Sequence, residues 1–152
     1  MYEYVGPPLT RESLAVLLDR LGVQPTTYSL YGAHLPEAHV MDHRREGWVV
    51  FFTERGNELD LMSYRTEADA CLALLNRVIS EDHNFFELVA GPALPDVADN
   101  QFQAWLDDRC LSRDWLRLDD WKTQDSPWVA NEPDHRRYWV RTAAVRRLQQ
   151  SS

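Results

Sequence analysis

The stretch WVVFFTERGNELDLMSY, Trp48 to Tyr64, decides the fold because it has the pattern of a two-stranded hairpin. Five large apolar residues, Trp48 to Phe52, precede a polar turn, Arg55-Gly-Asn-Glu58, and a second partly apolar segment. An uninterrupted apolar run places side chains on both faces of a strand, so both faces need cover from other segments. We therefore predict strands over Trp48 to Thr53 and Leu59 to Tyr64.

Two amphipathic helices can supply that cover, one that precedes the hairpin in the sequence and one that follows it. In TEADACLALLNRVIS, Thr66 and Asp69 have the spacing of a capping box. Apolar residues then recur at helical intervals, at Ala68, Cys71, Leu72, Leu75 and Ile79. Near the start of the chain, Thr10 is placed to cap another helix, which Gly22 ends.

These segments together predict an α+β fold, in which a short antiparallel sheet is covered by helices. The two helices are expected over Thr10 to Leu21 and over Glu67 to Ser80. The predicted core residues are Leu14, Leu18, Val50, Phe52, Leu61, Leu72 and Leu75.

The length of 152 residues and the hydrophobic content of 44% predict one domain over residues 1–152. One internal break is expected at AGPALPDVADN, Ala90 to Asn100, where prolines, a glycine and turn-forming residues interrupt any regular period. Two sub-lobes, residues 1–90 and 100–152, would then flank this break.

The second half of the chain carries weaker signals of secondary structure. Asp99 or Asn100 can cap a helix with apolar positions at Phe102, Trp105, Leu106 and Cys110. The segment WLRLDDW, Trp115 to Trp121, alternates weakly, as a strand does. The end of the chain has strand formers at Tyr138 to Val140 and then helix formers, so propensity leaves a last strand and a last helix both open.

Composition and charge exclude several classes of function. The net charge is −8, with 13 acids against 4 bases over residues 81–134 and a basic end over residues 135–152, which argues against nucleic-acid binding. The longest apolar run, Ala70 to Leu75, has six residues, far short of the roughly 18 that span a bilayer, and no export signal is visible at the start. With only Cys71 and Cys110, expected as unpaired thiols, a cytoplasmic location without membrane contact is predicted.

Catalytic motifs for nucleophilic, phosphate-binding, dinucleotide-binding and zinc-protease chemistry are absent from the sequence. The side chains best suited to bind a divalent metal are those of His34, His39 and His43, with Glu37 and Asp42 among them. Their spacings of five and four fit no zinc pattern. We therefore predict no metal, no cofactor and no enzymatic activity, and keep a small metal-dependent hydrolase at these histidines as the alternative.

The second half of the chain is both aromatic and acidic. It holds five of the six tryptophans, namely Trp105, Trp115, Trp121, Trp128 and Trp139. Aromatic residues dominate binding hot spots, and acids around them steer a basic partner, although the same residues can form an ordinary second core with a hydrated surface. The acidic pairs Asp107-Asp108 and Asp119-Asp120 are more typical of such a surface than of acid–base catalysis.

The order of TRESLAVLLDRLGV, YSLYG, GWVVFFTERGNELDL and TEADACLALLNRVI resembles small bacterial immunity proteins encoded beside secreted polymorphic toxins. The group suggested is the one similar to the immunity factor for the tuberculosis necrotizing toxin, and the likeness covers about residues 10–80. It implies a cytoplasmic, non-enzymatic protein that binds a cognate toxin domain, there an NAD-degrading one, and blocks its cleft. A regulatory adaptor is the further alternative. The predicted partner-binding residues are Arg55, Asn57, Glu58, Asp107, Asp108, Trp115, Asp119, Asp120 and Trp121.

Overall fold

The computed structural model describes residues 3–127 and 134–150, and its fold class is α+β, as predicted. Two compact units divide between Asn84 and Phe85. The first unit contains α1 (Arg11–Leu21), β1 (Tyr28–Ser29), β2 (His39–Arg44), β3 (Gly47–Glu54), β4 (Asn57–Tyr64) and α2 (Glu67–Ile79). The second contains β5 (Phe86–Ala93), α3 (Pro95–Asp108), β6 (Trp121–Pro127), β7 (Asp134–Arg141) and α4 (Thr142–Gln150).

The first unit has a four-stranded sheet in the order β1-β2-β3-β4, in which only the β1–β2 pair is parallel. The predicted hairpin is confirmed as β3 and β4. Its turn has two central residues, Arg55 and Gly56, with φ of 51° and 79°. Positive φ at both positions is the geometry whose twist matches that of the flanking strands, and glycine adopts it without strain.

The central strand β3 is buried on both faces, as its apolar run predicts. On one face, Val50 pairs with Met41 of β2, whose Sδ lies 3.8 Å from the thiol of Cys71 in α2. On the other face, Phe51 packs in a cluster that includes Leu35. A helix therefore covers one face, and the loop before β2 covers the other.

Both predicted helices of the first unit are confirmed, with the expected caps. The Thr10 hydroxyl accepts from the backbone of Ser13, and Gly22 ends α1 in the left-handed conformation at φ 80°. The Thr66 hydroxyl accepts from the backbone N–H of Asp69 at 3.1 Å. These bonds satisfy backbone groups that a helix end leaves without partners.

The predicted core is correct in four positions, because Leu14, Leu18, Val50 and Leu75 are buried. Phe52 is only partly buried. The prediction is wrong for Leu61 and Leu72, which are 41% and 40% exposed. Leu72 lies one residue off the buried stripe of α2, and Leu61 lies on β4, the edge of the sheet. The buried residues of α2 are Ala70, Cys71, Leu74, Leu75 and Val78.

The second unit has a three-stranded antiparallel sheet in the order β5-β7-β6, against which α3 and α4 pack. The C-terminal segment is a strand followed by a helix, so the two open alternatives occur in succession. The core of this unit is formed by Ala90, Ala98, Phe102, Leu106, Leu111, Tyr138, Val140, Val145 and Leu148.

The break predicted over Ala90 to Asn100 is wrong, because this stretch holds the end of β5 and the start of α3. Pro92 is tolerated because β5 is an edge strand with register shifts. At Gly91, with φ of 82°, an added Cβ would lie 2.1 Å from the carbonyl oxygen of Arg136, so only glycine fits. Pro95 starts α3, since proline is well suited to the first helical turn.

Two further predictions in the second half are wrong. Asp99 and Asn100 lie inside α3 and do not cap it. Most of Trp115 to Trp121 is not a strand, and only its last residue begins β6. The carboxylate of Asp120 accepts from the backbone N–H of Arg117 at 2.7 Å, and such local bonds compete with strand pairing.

Both cysteines are free thiols. Cys71 is buried and Cys110 is exposed. Burial raises the pKa of the Cys71 thiol to about 12, so it stays neutral in the core. Over residues 3–127 and 134–150, no helix has the length and apolar character needed to cross a membrane.

Candidate functional site

The structure separates the three histidines of the alternative metal site. His34 pairs with a glutamate of β4, His39 pairs with a glutamate just after α2, and His43 stacks on a tryptophan ring of β3. Within the described ranges, no group of three His, Cys, Asp or Glu side chains is placed to hold a metal ion. The arrangement therefore gives no support to the metal-dependent alternative.

The tip of the β3–β4 hairpin is divided between exposed and internally bonded residues. Arg55 and Asn57 are exposed. The carboxylate of Glu58 accepts from Nη1 of Arg44 at 2.9 Å and lies 2.8 Å from Nε2 of His34. The hydrogen bond from Arg44 is the main cause that lowers the pKa of Glu58. Glu58 is thus an anionic group that fixes the hairpin, whereas Arg55 and Asn57 remain available to a partner.

The four aspartates of the two predicted acidic pairs also divide into exposed and internally bonded residues. Asp107, Asp108 and Asp119 are exposed. Asp120 is only 3% exposed, and its two carboxylate oxygens lie 3.2 and 2.6 Å from the guanidinium nitrogens of Arg147. Burial is the largest single influence and raises the pKa of Asp120, but the interactions with Arg147 and with the backbone and charge of Arg117 together outweigh it, so the pKa is lowered. The expectation of a hydrated surface is therefore wrong for Asp120, which is a buried structural acid.

The two tryptophans that were predicted to bind a partner, Trp115 and Trp121, lie in different environments. Trp115 is 52% exposed in a short 3-10 turn. Trp121 packs on the core of the second unit, with its ring centroid 5.9 Å from Phe102 and 6.0 Å from Tyr138. Trp121 therefore supports the interpretation that the tryptophans help to form a second core. Trp128 lies outside the described residues.

A cleft that the sequence did not predict lies in the first unit, where the sheet meets the C-terminal end of α2. Its volume is about 410 Å³, within the range of ligand-binding pockets. It is lined by His39, Phe52, Asp60, Arg77, Ser80 and Glu81.

The most buried wall of the cleft is the ring of His39, whose side chain is 7% exposed. Its Nε2 lies 3.2 Å from Oε1 of Glu81, and Nδ1 is buried without a hydrogen-bond partner among the described residues. The ring also packs on Phe52, with centroids 5.0 Å apart. Burial is the main cause that lowers the pKa of His39, against the opposing effect of Glu81, so the imidazole is neutral at pH 7.

Another part of the cleft lining, at Asp60, is shaped by an irregularity in β4. The β3–β4 register shifts between Val50 and Phe52, and Asp60 has a left-handed φ of 53°. Nη2 of Arg77 donates to the carbonyl oxygen of Asp60 at 2.7 Å. The bulge and the helix end are therefore joined by a hydrogen bond at the cleft.

One signal in the sequence could have indicated this bulge. Leu61 and Met62 are adjacent apolar residues in a strand that otherwise alternates, and such a break in period is typical of an extra residue in one strand. The pairing of His39 with Glu81 had no such signal, because 42 positions separate them in sequence.

Beside the cleft, β4 exposes three large apolar side chains, which we call the β4 surface. They are Leu59, Leu61 and Met62, at 38%, 41% and 54% exposure. Because β4 is the edge of its sheet, its outer backbone groups have no strand partner within the described part of the chain. No family model, no curated protein and no solved structure matches this chain.

Proposed function

We propose that this chain is a non-enzymatic immunity protein that binds a cognate toxin domain in the cytoplasm of the producing cell. The observation that carries the proposal is the β4 surface, since neighbouring exposed apolar side chains on an unpaired edge strand are typical of a protein-binding face. The resemblance over residues 10–80 supplies the class of partner.

Charge favours a basic partner. The chain has a net charge of −8, and β4 carries Glu58 and Asp60 but no basic residue. Complementary charge accelerates association, and interactions between exposed charges are screened beyond about 8 Å at physiological ionic strength. We therefore expect binding to the toxin domain to be fast and to slow as salt is added. The exposed Arg55, Asn57, Asp107, Asp108, Trp115 and Asp119 remain candidate contacts.

The two alternative functions, a metal-dependent hydrolase and a regulatory adaptor, predict different experimental results. A metal-dependent hydrolase at His34, His39 and His43 requires stoichiometric metal in protein purified without added metal, and its loss from the H39A/H43A variant. A regulatory adaptor would bind a host protein and protect cells from no toxin. The resemblance makes an NAD-degrading toxin domain the first to test.

The direct test is protection of cells. The chain is co-expressed with the C-terminal domain of the protein encoded by the adjacent reading frame, and survival is counted with and without the chain. We expect survival with the chain, and lower survival when Met62→Lys places a charge on the β4 surface. Val16→Lys is the matched control, because Val16 is also about half exposed, at 51%, but lies on α1. Cell death in the presence of the unmodified chain would refute the proposal.

A further inference from the structure

The cleft between the sheet and the end of α2 combines three features that favour a cation. Its charged lining groups are Asp60, Glu81 and Arg77, which leaves a formal charge of −1 when His39 is neutral. It lies at the C-terminal end of α2, where Ser80 is the C-cap and where the helix dipole favours positive charge.

The third feature is an aromatic face. Phe52 is only partly buried and lines the cleft, and the face of an aromatic ring attracts ammonium and guanidinium groups. Its cross-strand neighbour on β4 is Leu59, a member of the β4 surface. The cleft therefore adjoins the β4 surface at Leu59.

The positive charge of Arg77 does not cancel the preference of the cleft for a cation. Its guanidinium donates to the carbonyl oxygen of Asp60, so this group already has an acceptor in the wall. The carboxylate of Glu81, by contrast, is 38% exposed and lies near two imidazoles, at 3.2 Å from His39 and 3.4 Å from His83. A carboxylate oxygen accepts several hydrogen bonds, so Glu81 can accept from a ligand as well.

We infer that this cleft receives a guanidinium or ammonium side chain of the protein partner, held between the carboxylates of Asp60 and Glu81 and the ring of Phe52. The identity of the partner rests on the proposed function, whereas the preference for a cation rests on the cleft. Beside the β4 surface, such a side chain would be an anchor at the edge of an apolar contact, as arginine often is in interfaces.

The preference is tested first without the partner. The probe is Nα-acetylarginine amide, titrated into the full 15N-labelled chain, and its neutral isostere, Nα-acetylcitrulline amide, is the control. We expect the arginine probe to shift the amide signals of the cleft residues, with an affinity at least about fivefold above that of the citrulline probe, since a charge pair is lost. Equal affinities, or shifts located elsewhere, would overturn the inference.

Charge-neutralising variants then identify the residues. Glu81→Gln keeps an acceptor for His39, and Asp60→Asn keeps a side chain that tolerates positive φ. Each should weaken binding of the arginine probe about twofold to fivefold. Glu46→Gln, an exposed acid in the turn before β3, should leave it unchanged. Equal effects of Glu46→Gln and Glu81→Gln would mean general charge attraction and would remove the site.

The final arm uses the toxin domain and separates the two proposals. Glu81→Gln should weaken its binding more than Glu46→Gln does. Protection of cells together with equal binding of both variants would keep the immunity function and reject the cleft as its anchor. Binding of the arginine probe in the cleft without protection would keep the cation site and reject the immunity function.

Discussion

The two strands of the β3–β4 hairpin are neighbours in sequence and in the sheet, yet β3 is largely buried and β4 is exposed. Val49, Val50 and Phe51 are at most 4% exposed, whereas Leu59, Leu61 and Met62 are at least 38% exposed. The strands differ in position, since β3 is central in the sheet and β4 is at its edge. An apolar residue is therefore buried by the elements that cover it, and apolar character in sequence does not by itself place it in a core.

The largest expected effect compares two adjacent residues of β3. Phe51→Ala should destabilise the protein by about 3–5 kcal/mol, because Phe51 is fully buried and its removal leaves a cavity. Phe52→Ala should cost clearly less, since Phe52 is partly exposed beside the cleft. Urea unfolding of both variants measures the difference. Equal losses would mean that Phe52 is covered as fully as Phe51.

The same comparison can be made on α2. Leu74→Ala should cost about 2–5 kcal/mol because Leu74 is fully buried. Leu72→Ala should cost well under half as much, because Leu72 is 40% exposed. Thermal unfolding followed by circular dichroism gives both values. A larger loss for Leu72 would restore the helix orientation expected from the sequence alone.

Local signals account for most of the successful predictions. The caps at Thr10 and Thr66 and the five-residue apolar run act within a few positions, so they are visible in sequence. The orientation of α2 is different, because both Leu72 and Leu74 fit an apolar stripe until the neighbouring strands are known. Asp120 shows the same limit, since its ion-pair partner Arg147 lies 27 positions away in sequence.

The candidate site was less predictable than the fold. The cleft depends on a bulge in β4, on the end of α2 and on His39 of β2, which only the tertiary fold brings together. The prediction that a partner binds the hairpin tip named Glu58, which bonds internally to Arg44. Exposure of charged groups depends on such pairings, and single-sequence patterns do not contain them.

Asp119 and Asp120 extend the comparison to charged residues. Asp120→Asn should destabilise the protein by about 1–3 kcal/mol, because it weakens charge-assisted bonds to the buried carboxylate. Asp119→Asn should have almost no effect, since Asp119 is exposed. Chemical denaturation at pH 7 tests the pair. A similar cost for both variants would mean that the Arg147 ion pair contributes little.

The pH dependence of stability gives an independent check of Asp120. Its pKa in the folded protein is lowered, so its stabilising contribution is complete above the unfolded pKa of roughly 4 and is lost as the pH falls through the lower folded pKa. Unfolding free energies of the parent and of Asp120→Asn should therefore converge as the pH is lowered from about 5 to 3. A difference that stays constant would assign the effect to packing instead of charge.

The smallest expected effect on stability concerns the β4 surface. Met62→Gln should change the free energy of unfolding by about 0.5 kcal/mol or less, because Met62 is 54% exposed on an edge strand. Under the proposed function, the same variant should weaken binding of the toxin domain, since an apolar contact then faces a polar amide. A large loss of stability would mean that another surface covers β4 in solution. That cover would most simply be a second copy of the chain, so unfolding of the parent would then depend on protein concentration. A midpoint that does not change over a hundredfold range of concentration, together with a stable Met62→Gln variant, would leave β4 free for a different partner.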